Sequence, residues 1–158
     1  MKRMTSKLKL ANAPETPWQR IEFHSCLNKA RDVEDQLIKA CESCHYSEQD
    51  VFAIKLALEE ALVNAVKHGN ELNPCKCVKV SYRVTPQRAD FTIEDQGKGF
   101  SPAELPDPTA EENLEMSHGR GILLMRAYMN SVVFSPKGNK VTLTKLNESY
   151  RPGQAALG

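Results

Sequence analysis

At 158 residues, with 41% apolar and 26% charged residues and a formal net charge of +1, the chain has the size and balance of one soluble globular domain. So small a charge argues against a nucleic-acid binder driven by phosphate neutralisation. No apolar run approaches the length needed to span a bilayer, and the basic start from Met1 to Leu10 lacks the apolar stretch of a secretory signal, so no membrane partner and a cytoplasmic location are expected.

In chain order, residues 1–16 are polar and basic and read as a flexible arm. Trp18 to His24 alternates as a short strand, and Leu27 to Cys44 has helical spacing. Ser47 is placed to cap a second helix, with Asp50 three residues on as a shortened capping box. That helix is predicted to reach Lys67 or His68, with Gly69-Asn70 as its C-cap and Pro74 forbidding continuation. Val51, Ile54, Leu58, Ala61, Leu62 and Ala65 share its apolar side. Glu60, Asn64, Lys67, His68 and Glu71 share a neighbouring polar stripe.

Val78 to Val84 and Arg88 to Glu94 read as an antiparallel hairpin around Pro86. Residues 97–118, rich in Gly, Pro and acids, form a loop of roughly twenty residues, a length that compact domains keep for a functional reason. Arg120 to Met129 is helical again, and Ser131 to Ser135 with Lys140 to Lys145 form a last hairpin. Residues 148–158 read as a flexible tail, which leaves 17–147 as the domain. The order β, α, α, β, β, loop, α, β, β predicts a two-layer α+β sandwich rather than a doubly wound sheet.

Five cysteines without a signal peptide favour free thiols. Cys41-x-x-Cys44-His45 matches the c-type haem attachment pattern, which needs export. Cys41, Cys44, Cys75 and Cys77 have the raw material of a zinc site, although Cys75-x-Cys77 on a strand would point to opposite faces.

Three stretches carry candidate chemistry. Glu60 and Asn64 lie one helical turn apart: an amide oxygen can ligate a hard cation that keeps phosphates as its other ligands, and a carboxylate can orient or deprotonate a hydroxyl. The alternative is a solvated helix face, against which Asn is a poor helix former. Asp95-Gln96-Gly97-Lys98-Gly99 is an acid at a strand end followed by glycines that allow close backbone approach; it also reads as an ordinary turn. Gly119-Arg120-Gly121 opens a helix, where free N–H groups favour an anion; it also reads as a plain helix entry. No Walker or Rossmann glycine motif is present. In this order the three suggest a site for Mg-ATP.

Together Glu60-Ala61-x-x-Asn64-Ala65-x-x-His68-Gly69, Asp95-x-Gly97-x-Gly99-Phe100 and Gly119-Arg120-Gly121-Ile122-x-Leu124-Met125 resemble the N, G1 and G2 boxes of the GHKL (Bergerat-fold) ATPases. Within that group the chain looks like the small anti-sigma-factor serine kinases of the RsbW type, over roughly residues 18–146. The resemblance implies helices on one face of a mixed, mostly antiparallel sheet. It implies Glu60 as catalytic base, Asn64 as Mg²⁺ ligand and Asp95 as adenine acceptor. Gly97 and Gly99 would shape the adenine side, residues 100–118 would form a lid, and Gly119 to Gly121 would meet the phosphates. Lys67, His68, Phe100, Arg120 and Ile122 are expected around the nucleotide with them. The implied partners are a sigma factor and a STAS-domain antagonist, with a homodimer as the usual assembly and no direct nucleic-acid contact. Two departures stand out. Gly138-Asn139-Lys140 replaces the Thr that the family often carries near adenine, and Ser117-His118 replaces an Arg that some members place before the G2 glycines. A non-catalytic ATP-responsive module of the same fold is the alternative.

Overall fold

Five runs of alternating polarity become five strands of one sheet, and the helical runs between them pack on one of its faces. The computed structural model describes residues 16–99 and 117–153. Its elements are β1 (Gln19–His24), α1 (Leu27–Ser43), α2 (Glu48–Val63), a π-helical turn (Asn64–Gly69), β2 (Cys77–Val84), β3 (Arg88–Glu94), α3 (Ser117–Tyr128), β4 (Ser131–Phe134) and β5 (Lys140–Leu146). The order across the sheet is β1-β2-β3-β5-β4, and every pairing among the described strands is antiparallel. The fold is the expected α+β sandwich, and its sheet is antiparallel throughout. The β2–β3 and β4–β5 hairpins both form, and β5 rather than β4 comes back beside β3.

Period-two patterning decides which face is buried. Ala89, Phe91 and Ile93 of β3 point one way; Tyr82 and Val80 of β2 and Leu143 and Val141 of β5 stand opposite the last two. This apolar face lies under Leu37 of α1, Ile54, Leu58 and Leu62 of α2, Val66 of the π turn and Met125 of α3. Each such side chain contributes about 1.5–3 kcal/mol by leaving water. On the other face Asp90 is nearly closed off by its own neighbours. Arg88 Nε donates to its Oδ2 at 2.8 Å, Arg83 approaches at 3.9 Å, and Thr144 Oγ1 donates to Oδ1 at 2.8 Å. At the far end of the hairpin Asn147 Nδ2 donates to Pro86 O, and Gln87 Nε2 donates to Tyr150 Oη.

Ser47 caps α2 as its position predicts: its Oγ accepts from Asp50 N–H at 3.0 Å. The reciprocal half of the box is absent. The Asp50 carboxylate meets Lys145 Nζ of β5 at 3.7 Å instead, because the shorter acid turns toward the sheet rather than back to the cap.

Glu34 of α1 is buried, and its Oε1 has no hydrogen-bond partner among the described residues. Burial raises its pKa, and the nearby Glu59 raises it further. A folded-state pKa above the unfolded one means that the native state favours the protonated acid. The resulting stability is present at low pH and is lost as pH rises through the folded pKa. Glu34→Gln should therefore raise the melting temperature at pH 7, with the gain disappearing below about pH 4, where the wild-type carboxyl is also neutral. Thermal unfolding of both proteins across pH checks this; an equal gain at all pH values would contradict it.

Candidate functional site

The α2 backbone changes pitch at the residue that matters. Asn64 N–H still donates back to Glu60 O, but from Asn64 to Gly69 the helix is π-helical, and Asn70 N–H closes it on Ala65 O, five residues back, at 2.8 Å. Single π turns of this kind recur at functional sites. The wider turn also breaks the α-helical stripe predicted for this face. His68 and Glu71 line the cleft described below, whereas Lys67 is exposed and does not.

Gly121 brings the first and third motifs together. A Cβ built there would lie 2.6 Å from Glu60 Oε2 and 3.3 Å from Asn64 Nδ2, so a glycine lets the α3 backbone settle on this pair without displacing the Glu60 carboxylate. Burial raises the Glu60 pKa, and neighbouring Glu59 adds to it. The helix begins at Ser117, three residues before the position predicted from its spacing. Gly119 and Gly121 are therefore inside α3 rather than in an opening loop. The unpaired N–H groups belong to the first turn, Ser117 to Gly119, and Gly121 serves close approach instead. Ile122 is buried beside it, and Arg120 is exposed and outside the cleft lining.

The second motif is held from both sides. Asp95 N–H donates to Asn139 O at 2.9 Å, and Asn139 Nδ2 returns a bond to Asp95 O at 3.1 Å. Gly97 N–H donates to Asp95 Oδ1 at 2.8 Å. Burial is the main cause of a raised pKa at Asp95, opposed by that Gly97 hydrogen bond. Gly69 packs directly on the Asp95 carboxylate, and Gly97 packs on the Gly69 carbonyl. Gly99, at φ +76°, lies against the Lys137 carbonyl. Phe100 and all of the expected lid, residues 100–118, except Ser117 and His118 fall outside the described residues; those two belong to α3.

These parts enclose a cleft of 330 Å³, within the range of small-molecule sites. Asn64, His68, Asp95, Gly99 and Ile122 line it as predicted, while Glu60, Gly97 and Gly121 stand behind that lining. Ile93, Met125, Phe134 and Val141 supply an apolar wall; Met125 belongs to the G2-like motif, and the other three were read only as strand residues. Lys98, inside the Asp95–Gly99 motif, and Asn139 and Lys140, in the run where the family often carries a Thr near adenine, also line it. An apolar wall with the Asp95 carboxylate among the polar groups beside it fits a purine. The amide at Asn64, beside an acid, suits a hydrated Mg²⁺.

Residues 24–145 match the family described as the histidine kinase-like ATPase domain. The chain belongs to this family. It is a GHKL ATPase domain of the RsbW type, and an ATPase domain implies ATP binding. It is 33% identical over 103 residues to an anti-sigma F factor of Clostridium perfringens, spanning 61% of this chain and 73% of that one. It is 34% identical over 96 residues to an anti-sigma F factor of Anoxybacillus flavithermus, spanning 59% and 65%. The crystal structure of the RsbU and RsbW domains of Rv1364c from Mycobacterium tuberculosis shares the fold, with a TM-score of 0.56 at 19% identity over 86% of this chain; this GHKL domain spans 34% of that longer protein. Among its described residues no helix is long and apolar enough to cross a membrane.

Proposed function

We propose that the chain is a Mg-ATP-dependent serine-protein kinase of the anti-sigma type, which phosphorylates a STAS-domain antagonist and sequesters a sigma factor, working as a cytoplasmic homodimer. The observation that carries this reading is the seating of Gly121 on Glu60 and Asn64, which brings a carboxylate, an amide and the start of α3 together. Asp95 would accept the exocyclic amine of adenine, with Gly97 and Gly99 keeping the approach open. Asn64 would hold Mg²⁺, which supplies neutralisation of charge on the phosphates. The first-turn amides of α3 would bind the phosphate oxygens. Glu60 would take the proton of the substrate serine as its oxygen displaces ADP from the γ-phosphorus.

One observation favours a second reading, a binding module that responds to ATP without turnover. Arg120 is exposed and does not line the cleft, and Asn139, which replaces the family's Thr, commits its amide to the Asp95 carbonyl. Incubation with labelled Mg-ATP and STAS-domain proteins separates the two. Label transfer from wild type, with both transfer and magnesium-dependent ATP uptake lost in Asn64→Ala, supports the kinase. Uptake without transfer to any STAS protein supports the module, and absence of uptake by calorimetry removes both.

A further inference from the structure

The Asp95 loop is fastened by a residue that reads from sequence only as part of a helix C-cap. Asn70 is 0% exposed, the lowest value among the buried polar residues described. Its backbone does not call for asparagine. At φ −86° and ψ −3° it stays in the right-handed region, and the left-handed turn falls on Glu71 and Leu72, at φ 53° and 59°.

What the position uses is the side-chain amide. Nδ2 donates to Ser25 Oγ at 2.7 Å and to Cys77 O at 2.9 Å, and Oδ1 accepts from Gln96 N–H at 2.7 Å. Cys77 O can only accept and Gln96 N–H can only donate, so the amide has one orientation. An ionised carboxylate has no N–H to give, and a hydroxyl is too short to span both partners. The partners come from three segments: Ser25 follows β1, Cys77 opens β2 and Gln96 follows β3. Two further bonds close the network. Cys77 N–H donates to Gln96 Oε1 at 2.6 Å, and Ser25 Oγ donates to Lys76 O at 2.9 Å. A buried polar network paired in this way holds a single geometry.

The two ends of the amide face different parts of the molecule. Nδ2 ties together the end of β1 and the start of β2. Oδ1 meets Gln96, the neighbour of Asp95, and Gly69, which precedes Asn70, packs on the Asp95 carboxylate. Asn139 holds Asp95 from the last hairpin, through bonds of 2.9 and 3.1 Å. Asp95 is therefore clamped from two sides, and Asn70 supplies the clamp at the end of the π turn. Neither Asn70 nor Gln96 lines the cleft, whereas Asp95 does, so Asn70 acts on a ligand through Asp95. Hydrogen bonds weaken steeply with misalignment, while apolar contacts tolerate small shifts. A loosened loop would thus lose a bond to a purine amine before it lost contact with the ring.

We propose that Asn70 is a positioning residue for adenine: its Oδ1 fixes the loop where the Asp95 carboxylate accepts the exocyclic amine. The inference rests on the reading of Asp95 as adenine acceptor and adds the residue that sets its geometry.

Calorimetry on the full chain with Mg²⁺ compares ATP with purine riboside triphosphate, which lacks only the exocyclic amine. Wild type should bind ATP about tenfold more tightly or better, the effect of one hydrogen bond to a charged group. Asn70→Ala should lose about tenfold in ATP affinity and keep its affinity for the amine-free nucleotide within about twofold, so that the preference disappears. Ser25→Ala removes a partner of Nδ2 and leaves the bond to Gln96. It should lower stability in urea and keep the preference. If Asn70→Ala does not fold, Asn70→Ser is measured in the same way, since its hydroxyl cannot reach Gln96 N–H while holding Cys77 O. A folded variant at position 70 that keeps the wild-type preference, or that weakens both nucleotides equally, overturns the positioning role. Loss of the preference in Ser25→Ala overturns it as well, because general loosening then explains the effect. Wild type that binds both nucleotides alike, or neither, removes the Asp95 reading itself and the positioning role with it.

Discussion

Glu60→Ala should lower phosphoryl transfer by about 10²–10⁴-fold, the range for loss of a positioned general base, and leave ATP affinity nearly unchanged. The two readouts part because Glu60 lies against Gly121 and outside the cleft lining, where it would meet a reacting hydroxyl rather than the nucleotide base. The pH profile should carry the same signature. Burial raises the Glu60 pKa, so the ionised form that accepts a proton is lost at a higher pH than for an ordinary carboxylate. The transfer rate of wild type should fall as pH drops through that raised value, and the residual rate of Glu60→Ala should lack this limb. Label transfer across pH, with calorimetry at each point, checks both. Transfer at the wild-type rate in the variant would end the assignment of Glu60 as base.

Gly97→Ala should damage both stability and binding. A Cβ at this position would lie 2.1 Å from Gly69 O and 2.7 Å from Gly69 C, and both are backbone atoms that have no rotamer to retreat into. The strand-end loop and the π turn would have to separate, at a cost of about 1–3 kcal/mol. The separation also removes the Gly97 N–H from Asp95 Oδ1 and the Gly69 backbone from the carboxylate it packs on. Urea unfolding should show the lower stability, and calorimetry with ATP should show affinity reduced more than tenfold, roughly the effect of one lost charge-assisted hydrogen bond. Native-like unfolding and affinity in Gly97→Ala would show that the contact between the two loops has no role in the site.

The two variants test different parts of one arrangement, and those parts were unequally legible beforehand. The periods of two and 3.6 place β1, α1, α2, the two hairpins and α3 to within a few residues, because apolar patterning and Gly/Pro punctuation are local properties. Ser47 likewise announces its own cap. The π-helical pitch from Asn64 to Gly69 was not legible, since nothing in the sequence there signals five-residue hydrogen bonding. The extra turn at the start of α3 was missed for a related reason: Ser117 and His118 carry no capping signature, and glycines weaken the helical pattern where the helix begins. The apolar wall of Ile93, Met125, Phe134 and Val141 read from sequence as strand and helix residues, and most of it is buried core. That it also borders a cleft depends on the space left between α2, α3 and the last hairpin.

By itself the amino-acid sequence determined the element order, the buried face of each strand and helix, and the candidate chemistry of Glu60, Asn64 and Asp95, all of which depend on residue type and short-range spacing. Tertiary structure alone decided that Gly121 lies against Glu60 and Asn64, that Gly69 and Gly97 interlock around Asp95, and that Asn70 spans from Ser25 to Gln96. Those contacts join segments dozens of residues apart. Their geometry is set by the packing of helices on a shared sheet face, which spacing along the chain does not encode.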